Sequence, residues 1–96
     1  MEKDKIITEV IFRKFKNGAV FALFPYITER KFGNCLSYQH IGQHSEATLG
    51  LICDTKLATE TEYLPLLSEL RYIGYIPKVI KKMNWNKYRK EYNLNL

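Results

Sequence analysis

Residues 9–24, EVIFRKFKNGAVFALF, carry the reading on which the fold turns. Two stretches rich in β-branched and aromatic residues, Glu9 to Lys16 and Ala19 to Phe24, flank Asn17-Gly18, the dipeptide that best tolerates the positive φ angles of a type I′ turn. The pattern predicts a β-hairpin. In its second arm, AVFALF, apolar side chains occupy both alternating sets, so this strand needs cover on both faces of its sheet. Pro25 has no N–H to give to a ladder and is expected to stop the strand.

Beyond the hairpin, Thr28 to Asn34 is a polar, glycine-containing connection, and Cys35 to Ile41 reads as a third strand broken by Gly42. Gln43 to Thr48 reads as a loop leading to Leu49 to Cys53, a short apolar run and candidate fourth strand. Thr59 and Glu62 form a capping-box pattern, after which Tyr63, Leu66, Leu67, Leu70 and Ile73 recur at helical spacing. Gly74 stands where a left-handed residue would end that helix, and Pro65 predicts a bend within it. Ile76 to Lys82 reads as a last strand. Asn84 to Tyr92 reads as a short amphipathic helix presenting Trp85, Tyr88 and Tyr92.

This order predicts an α+β fold: a small two-layer domain, with an antiparallel sheet of four to five strands, one main helix on one face and a short C-terminal helix. One amphipathic helix covers one face. The other must be covered by the C-terminal helix, by a second copy of the chain, or by a bound partner, so a homodimer or a protein partner is expected.

The 96 residues make a single domain over 1–96, with 83–96 as a basic aromatic C-terminal segment, and an apolar content of 46% supports a modest core. MEKDK leads into IITEVIF rather than a signal-peptide core, and no run approaches the roughly 18 apolar residues of a membrane span. Two cysteines are too few for a disulfide framework. The expectation is a soluble cytoplasmic protein with reduced thiols and no membrane association.

The net charge of +5 is concentrated rather than spread. From Arg71 to Lys90 there are seven basic residues and no acid: Arg71, Lys78, Lys81, Lys82, Lys87, Arg89 and Lys90. Trp85, Tyr88 and Tyr92 are interleaved with them, a composition suited to stacking on bases while cations neutralise phosphates. The same composition also describes a solvated helix whose aromatics pack on the domain. Beside the hairpin turn, the Arg13-Lys14-x-Lys16 run offers a second phosphate contact, since alternation sends Lys14 and Lys16 to the same face, and by itself is an ordinary polar hairpin end.

Titratable and metal-binding side chains crowd into Cys35 to His44, CLSYQHIGQH. A zinc reading takes Cys35, His40, His44 and Cys53, but the spacing has no CxxC knuckle, and alternation sends Cys35 and His40 to opposite strand faces. A ribonuclease reading takes His40 and His44 as acid and base, with Tyr38 or Arg13 stabilising a phosphorane. A Cys35–His40 nucleophilic pair fails on alternation. In the plainest reading, Tyr38 and His40 make cross-strand hydrogen bonds while Gly42, Gln43 and His44 shape a turn. No phosphate loop, dinucleotide fingerprint, HExxH or EF-hand is present, and no cofactor is expected.

The combination VIFRKFKNGAVFALFPYI, CLSYQHIGQH and ATETEYLPLLSELRYIGY resembles a group of small bacterial and phage proteins of no known activity. That group runs as an FRK hairpin, an ALFP end, a C-x-SY-x-H-x-GQH segment and a capped helix ending in GY. The likeness covers about residues 10 to 80. The chain departs from the pattern at Glu60, where proline usually follows the cap threonine, and at Cys53 and the tail after Met83. The resemblance implies a mobile-element setting and directs attention to Tyr38, His40, Gln43 and His44 as an interaction surface. It implies no reaction.

Together these readings favour a binding module acting by contact, through a sheet face or the CLSYQHIGQH surface. The alternatives are nucleic-acid binding through Lys78, Lys81, Lys82, Trp85, Lys87, Tyr88, Arg89 and Lys90, and a small ribonuclease using His40 and His44.

Overall fold

Apolar residues on both sides of β1 (Ile7–Lys14) and β2 (Val20–Thr28) make this strand pair the centre of the molecule. A computed structural model of the chain describes residues 7–39 and 43–94, with Gln43 as backbone alone. The hairpin forms, but its loop is one residue longer than a type I′ turn. Gly18 N–H donates to the Phe15 carbonyl and Phe15 N–H to the Ala19 carbonyl, each at 2.9 Å, so Lys16, Asn17 and Gly18 make the loop. Gly18 takes φ 93°, the left-handed residue that closes a three-residue hairpin loop.

The extra residue fixes which side chains share a face, because strand side chains alternate. It sets Ile11 opposite Leu23 and Phe12 opposite Ala22. Val10, Phe12, Ala22 and Phe24 thus gather on one face, and Ile11, Phe21 and Leu23 on the other. A two-residue loop would have mixed these sets. Pro25 does not end β2: the strand continues to Thr28 with a register shift against the next strand between Phe24 and Thr28, where a missing N–H is tolerated.

The third strand, β3 (Asn34–Gln39), pairs antiparallel with β2 and with β4 (Gln43–Thr48). β4 occupies the stretch expected to be a loop. Its sequence, QHSEAT, lacks apolar alternation, and an exposed strand at the sheet edge needs none. The expected strand at Leu49 to Cys53 is instead a single helical turn, α1 (Leu51–Asp54), tightened by Ile52 N–H on the Leu49 carbonyl and Cys53 N–H on the Gly50 carbonyl. So short an apolar run has no period by which to tell strand from helix.

The main helix, α2 (Glu60–Tyr72), starts at the expected capping box: the Thr59 side chain accepts from Glu62 N–H, and Thr59 N–H donates to the Glu62 carboxylate at 2.9 Å. It ends with Gly74 at φ 116°, Gly74 N–H on the Arg71 carbonyl and Tyr75 N–H on the Leu70 carbonyl, the Schellman pattern. Pro65 lies within it on the exposed side. Leu66, Leu67 and Leu70 pack on the Phe12/Phe24 face, each contributing about 1.5–3 kcal/mol of apolar transfer free energy.

Two short strands share the outer edge of β1. β5 (Lys56–Leu57) runs antiparallel beside Arg13 and Lys14, and β6 (Ile76–Val79) runs parallel beside Ile7 to Val10. The sheet, in the order β4-β3-β2-β1-β5 with β6 also on β1, is antiparallel except for β6. β6 stops at Val79 rather than Lys82.

The last helix, α3 (Trp85–Leu94), is capped by the Asn84 side chain, which accepts from Asn86 N–H at 2.9 Å and Lys87 N–H at 3.2 Å. It crosses the second sheet face and sets Tyr88, fully buried, among Ile11, Phe21, Leu23 and Cys35. The sheet and α2 form the expected two layers, and α3 adds cover on the far side. Both faces of the strand pair are therefore covered from within the chain. This removes the uncovered face that argued for a homodimer and for a partner bound to the sheet. Among the described residues no helix is long and apolar enough to cross a membrane.

Candidate functional site

CLSYQHIGQH folds as the β3–β4 hairpin, with Tyr38 opposite His44 and Gln39 opposite Gln43. His40, Ile41, Gly42 and the side chain of Gln43 lie outside the described residues. Tyr38 is fully buried on the α2 face, and its hydroxyl donates to the Glu69 carboxylate on α2. The exposed His44 ring stands edge-on to Tyr38, 4.7 Å between centroids, with Nε2 2.9 Å from the Tyr75 hydroxyl. Burial pushes the Tyr75 phenol above its ordinary value. A shallow depression of about 460 Å³ lies beside His44, Ile73, Gly74 and Tyr75. The Tyr38 and Tyr75 hydroxyls, the Glu69 carboxylate and His44 Nε2 thus have partners within the chain.

The sheet keeps the other ingredients of the sequence readings away from it. Cys35 faces the α3 side beside Tyr88, whereas His44 packs on Tyr38 of the α2 side, so these two cannot ligate one ion together. Cys35 is a buried free thiol pushed up to about 12, by burial first and then by the charge of Glu29. Cys53 is exposed on α1, and among the described residues no three potential ligands converge. Arg13 also belongs to the α3 side, so it does not join Tyr38 and His44 about one phosphorus atom.

The basic C-terminal segment splits by role. Tyr88 is a core residue: its hydroxyl accepts from Gly33 N–H and donates to the Asn34 carbonyl, both at 2.8 Å, tying α3 to the start of β3. Lys87 is held by Glu9 at 2.5 Å and lies 4.5 Å from the Tyr26 ring centroid, and the Glu9 hydrogen bond raises its pKa. The exposed Lys78 is on β6 at the register position of Glu9. Arg89, bonded to Asn86 at 2.9 Å, and Lys90 are exposed on α3. Lys81, Lys82 and Trp85 come together elsewhere.

They line a groove of about 620 Å³ on the α3 face of the sheet, where α1 and β5 leave one side of the β1 edge and the β6–α3 linker leaves the other. Ile11, Leu49, Ile52 and Met83 give it an apolar lining. Arg13, Lys56, Lys81 and Lys82 supply four cations, and among the described residues no carboxylate lines it. Trp85, 44% exposed, forms part of the wall. A second depression of about 570 Å³, lined by Lys14, Phe15, Lys16 and Asp54, adjoins it through Cys53, Thr55 and Lys56.

Arg13 is the most withdrawn of the four cations. Only 9% exposed, it donates from Nε to Thr55 Oγ1 at 2.7 Å and from Nη2 to the Thr55 carbonyl at 2.5 Å. Thr55 Oγ1 in turn donates to the Leu51 carbonyl at 2.6 Å, so the end of α1 fixes the guanidinium. Desolvation lowers the Arg13 pKa, with the nearby Cys53 acting in the opposite sense. Sequence reading marked Lys81, Lys82 and Trp85 but missed Lys56 and the role of Thr55, because a two-residue strand and a one-turn helix carry no periodic signal. No family model, curated protein or solved structure matches the chain, so the groove is read from its own geometry.

Proposed function

We propose that this protein is a cytoplasmic, contact-acting binding module whose ligand is single-stranded nucleic acid, held in the groove between α1 and α3. The supporting observation is the meeting of Arg13, Lys56, Lys81 and Lys82 with the half-exposed Trp85 around one apolar hollow. None of the four cations pairs with a carboxylate among the described residues, in contrast to Lys14 and Lys87. Cations without a carboxylate partner among the described residues, beside an exposed indole, suit a strand whose phosphates are neutralised while a base stacks. The exposed free thiol of Cys53 fits a reducing compartment.

Fluorescence anisotropy of labelled single- and double-stranded DNA and RNA across a salt series tests this. Single strands are expected to bind, with affinity falling as salt rises at a slope of about −0.7 per phosphate contacted. Replacing Lys56, Lys81 and Lys82 with alanine is expected to flatten that slope by about 2. An absence of binding at low salt overturns the reading and turns the groove toward a protein ligand.

A further inference from the structure

We propose that the groove seats the terminal phosphate monoester of a single strand, with Arg13 as its anchoring residue. This rests on the single-strand reading above. A cation largely withdrawn from water favours an accompanying anion, and Arg13, 9% exposed, has its two hydrogen bonds on neutral oxygens of Thr55. Those bonds use Nε and one N–H of Nη2; Nη1 has no acceptor among the described residues and, as no buried side-chain nitrogen there lacks a partner, it is open to solvent and free to meet an anion. Held by Thr55, itself held by Leu51, the guanidinium is oriented before any ligand arrives.

Two features favour a chain end over an internal linkage. Arg13, 9% exposed, is the most withdrawn of the groove's cations, Lys56, Lys81 and Lys82 all being exposed, and a phosphate continued by sugar on both sides would have to bring two lengths of backbone to it. The cations also outnumber one diester charge. An internal phosphodiester carries one negative charge, whereas a monoester carries about −1.5 to −2 near neutral pH and three acceptor oxygens. The four charges of Arg13, Lys56, Lys81 and Lys82 exceed either species, and the monoester comes nearer to neutralising them. The adjoining nucleoside would lie against Met83 and Trp85, which line the same groove.

The test compares one labelled oligonucleotide with a 5′-phosphate, a 3′-phosphate or hydroxyls at both ends, by anisotropy at fixed salt. The protein as it stands is expected to prefer one phosphorylated end over the hydroxyl form by about tenfold or more. Arg13→Gln is expected to abolish that preference and to weaken binding of all three to a common, still salt-dependent level, with thermal melting reporting whether the variant is folded. Equal affinity of the unsubstituted protein for all three oligonucleotides overturns the terminal-phosphate proposal and leaves single-strand binding standing. Binding of none of them overturns both. The comparison of ends needs no variant, so a failure of Arg13→Gln to fold does not remove the test.

Discussion

Two polar regions lie on opposite sides of the central sheet, and they differ in what their side chains still lack. The Tyr38, His44, Glu69 and Tyr75 cluster comes from the stretch richest in chemical groups, yet its hydroxyls, imidazole and carboxylate satisfy one another. The groove of Arg13, Lys56, Lys81, Lys82 and Trp85 is assembled from segments far apart in sequence, and among the described residues its charges have no counter-charge. Chemical richness in a short stretch marks where hydrogen bonds can form. Unneutralised charge beside an exposed aromatic marks where a ligand is still needed.

The strongest way to break this contrast is to remove what separates the two regions. Tyr88→Ala is expected to cost about 3–5 kcal/mol of stability in urea denaturation, because it empties the core on the groove side. Loss of nucleic-acid affinity with full stability in that variant would instead make Tyr88 a contact residue. Trp85→Ala is expected to weaken single-strand binding by about 1–3 kcal/mol in anisotropy titrations while melting changes little, as its half-exposed ring is the stacking platform.

On the other side, Tyr38→Phe is expected to lower stability by about 1–2 kcal/mol, through the lost hydrogen bond to Glu69, and to leave oligonucleotide binding unaltered. A change in affinity there would join the two regions functionally. The smallest effect concerns acid. The Lys14 ammonium, 2.5 Å away, and then Thr59 N–H hold the Glu62 carboxyl down at about 2. A carboxyl depressed on folding contributes stability above its unfolded value, about 4.3, and that contribution fades as pH falls toward 2. Lys14→Met is expected to shrink this acid-side loss in pH-dependent melting, with no change at the groove.

Much of the frame was legible in the residues themselves. The hairpin, the Thr59–Glu62 cap, the Gly74 terminus and the aromatic helix after Asn84 announce themselves because each is a local contract between neighbouring backbone groups and side chains. Three elements escaped: β4, whose edge position makes apolar alternation unnecessary, α1, too short for a period, and β5, two residues long. The expected turn at Asn17-Gly18 was placed correctly but one residue too tight, which is enough to exchange strand faces.

The sequence by itself determined the local segments, the excess of cations after Arg71 and the need to cover β2 on both sides, since these follow from backbone preference, charge and alternation. Only the tertiary structure decided that α3 supplies the second cover, that Tyr88 and Lys87 are occupied within the chain, and that Arg13 meets Lys56, Lys81, Lys82 and Trp85. Those outcomes depend on strand register and on which segments share the edge of β1. Both are set by contacts between residues far apart in the chain, which no local pattern encodes.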